Sequence, residues 1–163
     1  MTIWRELRYL AIKILVIFIV FVLVFTLLYG FHRNADPDMV PMVKDGDLMF
    51  FYRLDKNYAI GDILILEYQG ERQARRVVAK AGDIVDIREE GLIVNGAIQQ
   101  ETEIYQLTKR YAGGISFPLT VGEGKVFVLG DARENACDSR IYGPVDTENT
   151  HGTVITIIRR RSL

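Results

Sequence analysis

An enzyme that opens an amide needs an activated hydroxyl, thiol or water, and residues able to supply one are scarce in this chain. From Leu27 through Glu101 there is no serine, threonine or cysteine, and the serines beyond are Ser116, Ser139 and Ser162. Asp36 and Asp38 offer a carboxylate pair of the kind that activates water in aspartic proteases. Their spacing argues against that use, because residues two apart on an extended segment lie about 6 to 7 Å apart at Cα. Cys137 is the sole cysteine, which excludes an intrachain disulfide and zinc sites of the four-ligand kind. A small buried side chain explains it better than a reactive thiol. His32 and His151 are too few and too far apart in sequence to suggest a metal site, and no cofactor is expected.

The elements that must position such residues begin with the run from Leu10 to Leu28, apolar except at Lys13. A bilayer core needs about 20 apolar residues, so the run can cross as one helix, with Lys13 snorkelling near its entry end. Arg5, Arg8 and Lys13 lie on its amino-terminal side, which predicts a cytoplasmic amino terminus and an extracytoplasmic domain. Trp4, Tyr9 and Tyr29 suit the headgroup level. A cleavable signal would have about 7 to 15 apolar residues and a small-x-small site, and Tyr29 to Asn34 contains none. The other alternative is the buried helix of a soluble protein. The expectation is a single-pass anchor over residues 1–31, touching the lipid of the cell membrane, and a domain over 32–163. With 20 Lys+Arg and 21 Asp+Glu in all, and most of the basic excess before Phe31, that domain is mildly acidic. Nothing points to a nucleic-acid partner.

Beyond Phe31, β-branched and aromatic residues cluster between Gly, Asn and Asp punctuation, which predicts short strands. The expected strands are Asp47 to Leu54, Ile63 to Tyr68, Arg75 to Ala79, Ile84 to Arg88, Leu92 to Val94, Lys125 to Leu129 and Thr153 to Ile158. Asn95-Gly96 is a strong hairpin signal. The more polar stretch from about 89 to 124 reads as a small hairpin-bearing insertion, and His32 to Asp36 as a short connection between helix and domain.

Five features recur in order: Asp38-Met39-Val40-Pro41, Gly46-Asp47, Gly61-Asp62-Ile63, the stretch from Arg75 to Asp83, and GDARENACDSR from Gly130 to Arg140. Together they resemble the type I signal peptidases, membrane-anchored serine proteases that remove signal peptides with a serine nucleophile and a lysine general base. The resemblance covers nearly the whole chain. It implies a mostly β, signal-peptidase-like antiparallel domain with a small β insertion after one transmembrane helix. It also implies a groove and framework that draw on Met39, Pro41, Arg76, Val77, Asp131, Arg133, Asp138, Ser139 and Arg140, the charged members of the signature chiefly as braces.

The departures fall on the residues that would carry chemistry. Asp38 stands where the family has its nucleophile, Arg75 where it has its base, and Ala136 where a serine commonly helps to hold the lysine; Ala132 replaces a usual asparagine. A serine is activated when a neutral amine takes its proton, which requires a lysine depressed toward neutrality by burial. Arginine, with a pKa above about 12, supplies no neutral form, and a carboxylate is a poor attacker of an amide. Loss of nucleophile or base costs on the order of 10⁶ in turnover in serine proteases. Ser139 matches a structural position, and Lys80 lies five residues and roughly 16 Å along a strand from Arg75.

The paired substitution predicts an ion pair between Asp38 and Arg75 that closes the old site; the alternative has both side chains in solvent. What is left to such a protein is binding, and the family lays its substrate as an extended strand beside a β edge. Signal-peptidase-like proteins without the serine and lysine occur in Gram-positive bacteria beside surface pili. The chain resembles that subgroup, which implies a membrane-anchored, chaperone-like factor with pilin subunits or their sorting machinery as partners. The competing readings are an active peptidase with unorthodox residues and a signal-peptide-binding regulator of a true one. Arg159-Arg160-Arg161 reads as a solvated tail or a contact with anionic headgroups.

Overall fold

The computed structural model describes residues 2–160; Met1, Arg161, Ser162 and Leu163 lie outside the described residues. The apolar run folds as α1 (Thr2–Leu28). It has no internal Gly or Pro to break it, and a helix satisfies its own backbone donors and acceptors. Ile3–Leu28 is long and apolar enough to cross a membrane, and its most apolar stretch is not buried by the domain.

The chain passes from α1 directly into β1 (Tyr29–Arg33), so the expected connection from His32 to Asp36 is in part a strand. β1 pairs antiparallel with β2 (Leu48–Tyr52), matching Tyr29 to Tyr52 and Phe31 to Phe50. The Arg53 N–H donates to the Leu28 carbonyl at 2.8 Å, tying the last helical turn to the sheet. Phe25 stacks on Phe50 with ring centroids 5.9 Å apart. β1 was illegible in the sequence because its aromatic residues continue the apolar run of the helix.

The larger sheet continues with β3 (Ile63–Tyr68), β4 (Glu71–Lys80), β9 (Lys125–Leu129), β10 (Val145–Asp146) and β11 (Gly152–Ile158), in the order β1-β2-β11-β3-β4-β9-β10. The smaller sheet holds β5 (Ile84–Arg88), β6 (Gly91–Val94), β7 (Ala97–Ile98) and β8 (Leu119–Thr120), in the order β7-β6-β5-β8. It therefore starts before residue 89: Glu89 and Glu90 are only the turn that lets Arg88 pair with Gly91. β3, β5 and β9 have the expected bounds. β4 begins four residues earlier than expected, at Glu71, because Gln69 and Gly70 adopt positive φ (53° and 81°) and turn β3 back on itself. Two-residue turns of this kind match the twist of paired strands.

β4 positions the site through its pleat, since successive side chains point to opposite faces. Ala74 pairs with Ile65 and enters the cluster of Met39, Val43, Met49 and Phe51. Arg75 pairs with Leu64 and faces the other way, onto the side that holds Tyr58, Leu66, Val77 and Val128. A third cluster, with Val85, Ile87, Leu92 and Phe127, joins the smaller sheet to the larger.

Candidate functional site

Arg75 is a fully buried arginine, and a guanidinium in that setting must find acceptors for its donors. Its Nε donates to the Cys137 carbonyl at 2.8 Å, Nη1 to the Ala74 carbonyl at 2.5 Å, and Nη2 to Asp38 Oδ2. Nη1 also faces Asp36 Oδ2 at 3.4 Å. The expected Asp38–Arg75 pair is present, and the alternative with both side chains in solvent is not what the fold adopts.

Asp38 is held on every side. Its carboxylate accepts from the Cys137 N–H at 2.9 Å, its own N–H donates to Asp36 Oδ1 at 3.0 Å, and its carbonyl accepts from Ala132 N–H at 2.8 Å. Burial pushes the Asp38 carboxyl above the usual range, with Arg75 and the Cys137 N–H pulling against that rise. Gly130 allows the close approach: a Cβ there would fall 2.3 Å from the Ala136 methyl and 2.7 Å from the Asp38 carbonyl oxygen. Ala136 is fully buried at this contact.

The signature residues form braces, each with its own partner. Arg76 grips Asp131 with two bonds of 2.8 and 2.6 Å, and Nη1 reaches the Gly61 carbonyl at 2.9 Å. Asp138 caps the single turn α2 (Ser139–Tyr142) and takes Arg140 on both oxygens, Nε at 2.9 Å and Nη2 at 2.7 Å. Asp138 also accepts the Gly130 N–H at 3.1 Å. Ser139 Oγ accepts the Val128 N–H at 3.0 Å and is fully buried, which fits a brace and leaves no nucleophile there. Arg133 is buried between the Gly130 carbonyl, Thr108 and both oxygens of Glu101. Met39 and Val77 lie in separate core clusters and Pro41 is exposed. Cys137 is half-buried, and burial pushes its thiol up, away from a reactive thiolate. Lys80 sits exposed at the far end of β4.

Glu101 and the backbone of Cys137 were missed as members of the site, and Asp36, weighed in the sequence only as half of a water-activating pair with Asp38, instead faces Arg75 and accepts the Asp38 N–H.

Beside this cluster the backbone offers free edges. β4 pairs with β9 only from Arg76 onward, where Arg76 meets Leu129, so Glu71 to Arg75 have β3 on one side and no strand of the described residues on the other. Among the described residues β1, which leads into Asp36 and Asp38, pairs with β2 alone. An extended peptide satisfies such edges by strand addition.

Comparison with known proteins follows the same pattern. The family described as signal peptidase, peptidase S26, matches residues 7–158. A signal peptidase I of Bacillus licheniformis is 30% identical over 127 residues, 71% of this chain and 68% of that protein. Thylakoidal processing peptidase 1 of Arabidopsis thaliana is 37% identical over 75% of this chain, which spans only 32% of that longer protein. Among solved structures, a signal peptidase I from Enterococcus faecalis V583 is 30% identical with a TM-score of 0.51, covering 61% of this chain and 97% of that one.

Proposed function

The chain belongs to the signal peptidase family, peptidase S26, and from that membership we propose that it is a non-catalytic member, held in the cell membrane by α1, that binds an extended peptide without cutting it. The observation that carries this reading is the Asp38–Arg75 ion pair where the family's serine and lysine stand. A side-chain carboxylate locked by a guanidinium and a backbone N–H attacks nothing, and arginine supplies no neutral base. The free edges of β1 and of Glu71 to Arg75 remain for strand addition. The amino terminus is cytoplasmic by the basic residues before the span, which puts the β domain at the outer face. In that position we assign it an accessory, chaperone-like role toward pilin subunits or their sorting machinery.

Incubation of the purified full chain with a preprotein tests the catalytic part. No specific cleavage is expected; cleavage that Asp38→Ala abolishes would establish the competing reading, an active peptidase with unorthodox residues. Co-purification separates the partners. Recovery of pilins supports the assembly role, whereas recovery of secreted precursors or of a working peptidase replaces it with a signal-peptide-binding regulator.

A further inference from the structure

We propose that β11 carries a second strand-addition site, separate from the groove beside Asp38 and Arg75: an extended apolar segment of a partner polypeptide pairs with Val154 to Ile158 and sets its side chains on Met42, Ile63 and Ile157.

The backbone comes first. β11 pairs with β2 along most of its length, from Thr153 opposite Tyr52 to Ile158 opposite Leu48. With β3 it pairs only at Gly152 and Thr153, opposite Ile65 and Leu64. From Val154 onward the described residues place no backbone partner on the β3 side. The register of β11 against β2 shifts between Val154 and Thr156, which makes Ile155 a bulge, and a bulge bends its strand. The two strands part at that point. A strand edge presents N–H and C=O groups in alternation, and another main chain satisfies both kinds where an ion or a lipid tail does not.

The space where the strands part is lined by apolar side chains. A cavity of about 370 Å³ lies between Gly61 to Ile63 and Val154 to Ile157, with Met42 also on its wall. Met42, Ile63, Val154 and Ile157 are the partly buried residues packed against the core of Met39, Met49 and Phe51, so that core reaches the surface here. Val154 and Ile157 stand opposite Phe51 and Met49, both fully buried, which puts them on the core face of the sheet. The charged side chains at the cavity already have partners. Arg76 holds Asp131 and the Gly61 carbonyl, and the Asp62 carboxylate accepts the Ala59 N–H at 2.7 Å. An unpaired edge beside apolar surface suits an extended segment with aliphatic side chains at alternate positions. The site is independent of the groove, whose edges are β1 and Glu71 to Arg75.

Amide exchange of the full chain in detergent micelles tests this, with and without the end-blocked peptide Lys-Thr-Val-Thr-Val-Thr-Val-Lys. Exchange in Val154 to Ile158 is expected to slow roughly tenfold or more at peptide concentrations well above Kd. A peptide with asparagine in place of valine should bind roughly tenfold or more weakly, as for the loss of a buried aliphatic side chain. Met42→Asp, which puts a charge on the apolar wall, should abolish the slowing; if that variant fails to fold, the asparagine peptide carries the same test. Of two peptides N-methylated on alternate residues in opposite phase, one should bind and the other should not, because a strand adds by one edge. Slowing confined to Val154 to Ile158 supports the site whatever the fate of the groove. Slowing confined to Glu71 to Arg75, or slowing nowhere, overturns it, and equal binding of the two methylated peptides overturns strand addition. Slowing in Val154 to Ile158 that appears without peptide and grows with protein concentration assigns the edge to a second copy of this chain and overturns the partner polypeptide.

Discussion

Arg75 and Cys137 are joined across 62 residues by a 2.8 Å bond from the guanidinium Nε to the backbone carbonyl. The N–H of the same cysteine donates to the Asp38 carboxylate. The signature loop thus grips both members of the ion pair, and arginine at 75 is required by packing as much as by charge.

Arg75→Ala removes the guanidinium donors to the Asp38 carboxylate and the Cys137 carbonyl, leaving the carboxylate only the Cys137 N–H inside the fold. Removal of one partner from a buried pair costs about 3–5 kcal/mol, and urea unfolding should show a loss of that order. A difference below about 0.5 kcal/mol would mean that the pair contributes nothing to the fold.

Asp38→Ser combined with Arg75→Lys and Ala136→Ser puts a serine, a lysine and a second serine where the resemblance in the sequence expects them, on the same backbone. Burial would depress the new lysine toward neutrality, as general-base chemistry requires. Specific cleavage of a preprotein by the triple variant, absent in the parent chain, is the expected outcome in a gel assay. An inactive triple variant that melts like the parent would show that more than the dyad has changed.

Glu101→Gln weakens the clasp on Arg133, which otherwise pins the segment from Gln99 to Thr108 to the Gly130 carbonyl. One charge-assisted partner is worth about 1.5–3 kcal/mol. Amide exchange should rise in residues 99–108 and stay unchanged in β3 and β9; uniform exchange across the domain would refute a local clasp.

His32 and His151 set the acid limb of stability. Burial lowers both, and the Arg72 charge adds to it, against the pull of Asp36 on His32 and of Glu67 on His151. Their Nε2 atoms are buried without a bonded partner, the Glu67 carboxylate standing 3.5 Å from His151. A histidine whose folded pKa lies below its unfolded value contributes stability above the unfolded pKa of about 6.5 and loses it as pH falls toward the folded one. Tm should therefore drop between pH 7 and pH 5. The raised Asp38 carboxyl acts in the opposite sense, binding its proton more readily in the fold, so the histidine part is read as the difference from a His32→Gln, His151→Gln variant. A pH profile shared by parent and variant would exclude the histidines as its source.

Strand content was legible where apolar and β-branched residues alternate between turn residues, as in β3, β5 and β9. It was illegible where a strand borrows its character from a neighbour. β1 hides in the tail of an apolar helix, and the start of β4 hides in Glu71-Arg72-Gln73, polar residues that only their pairing with Tyr68, Glu67 and Leu66 makes into a strand.

The sequence by itself determined the membrane-spanning length of α1, the family, and the facing of residues 38 and 75, because ordered motifs place those positions together in one fold. Tertiary structure alone decided that Asp36 shares the guanidinium, that Cys137 holds the pair through its backbone, and that Glu101 closes on Arg133. Those contacts join residues 32 to 99 positions apart through backbone atoms and buried charges. Residue type carries no record of such pairings, and only the packing of β4 against the signature loop brings them within hydrogen-bonding distance.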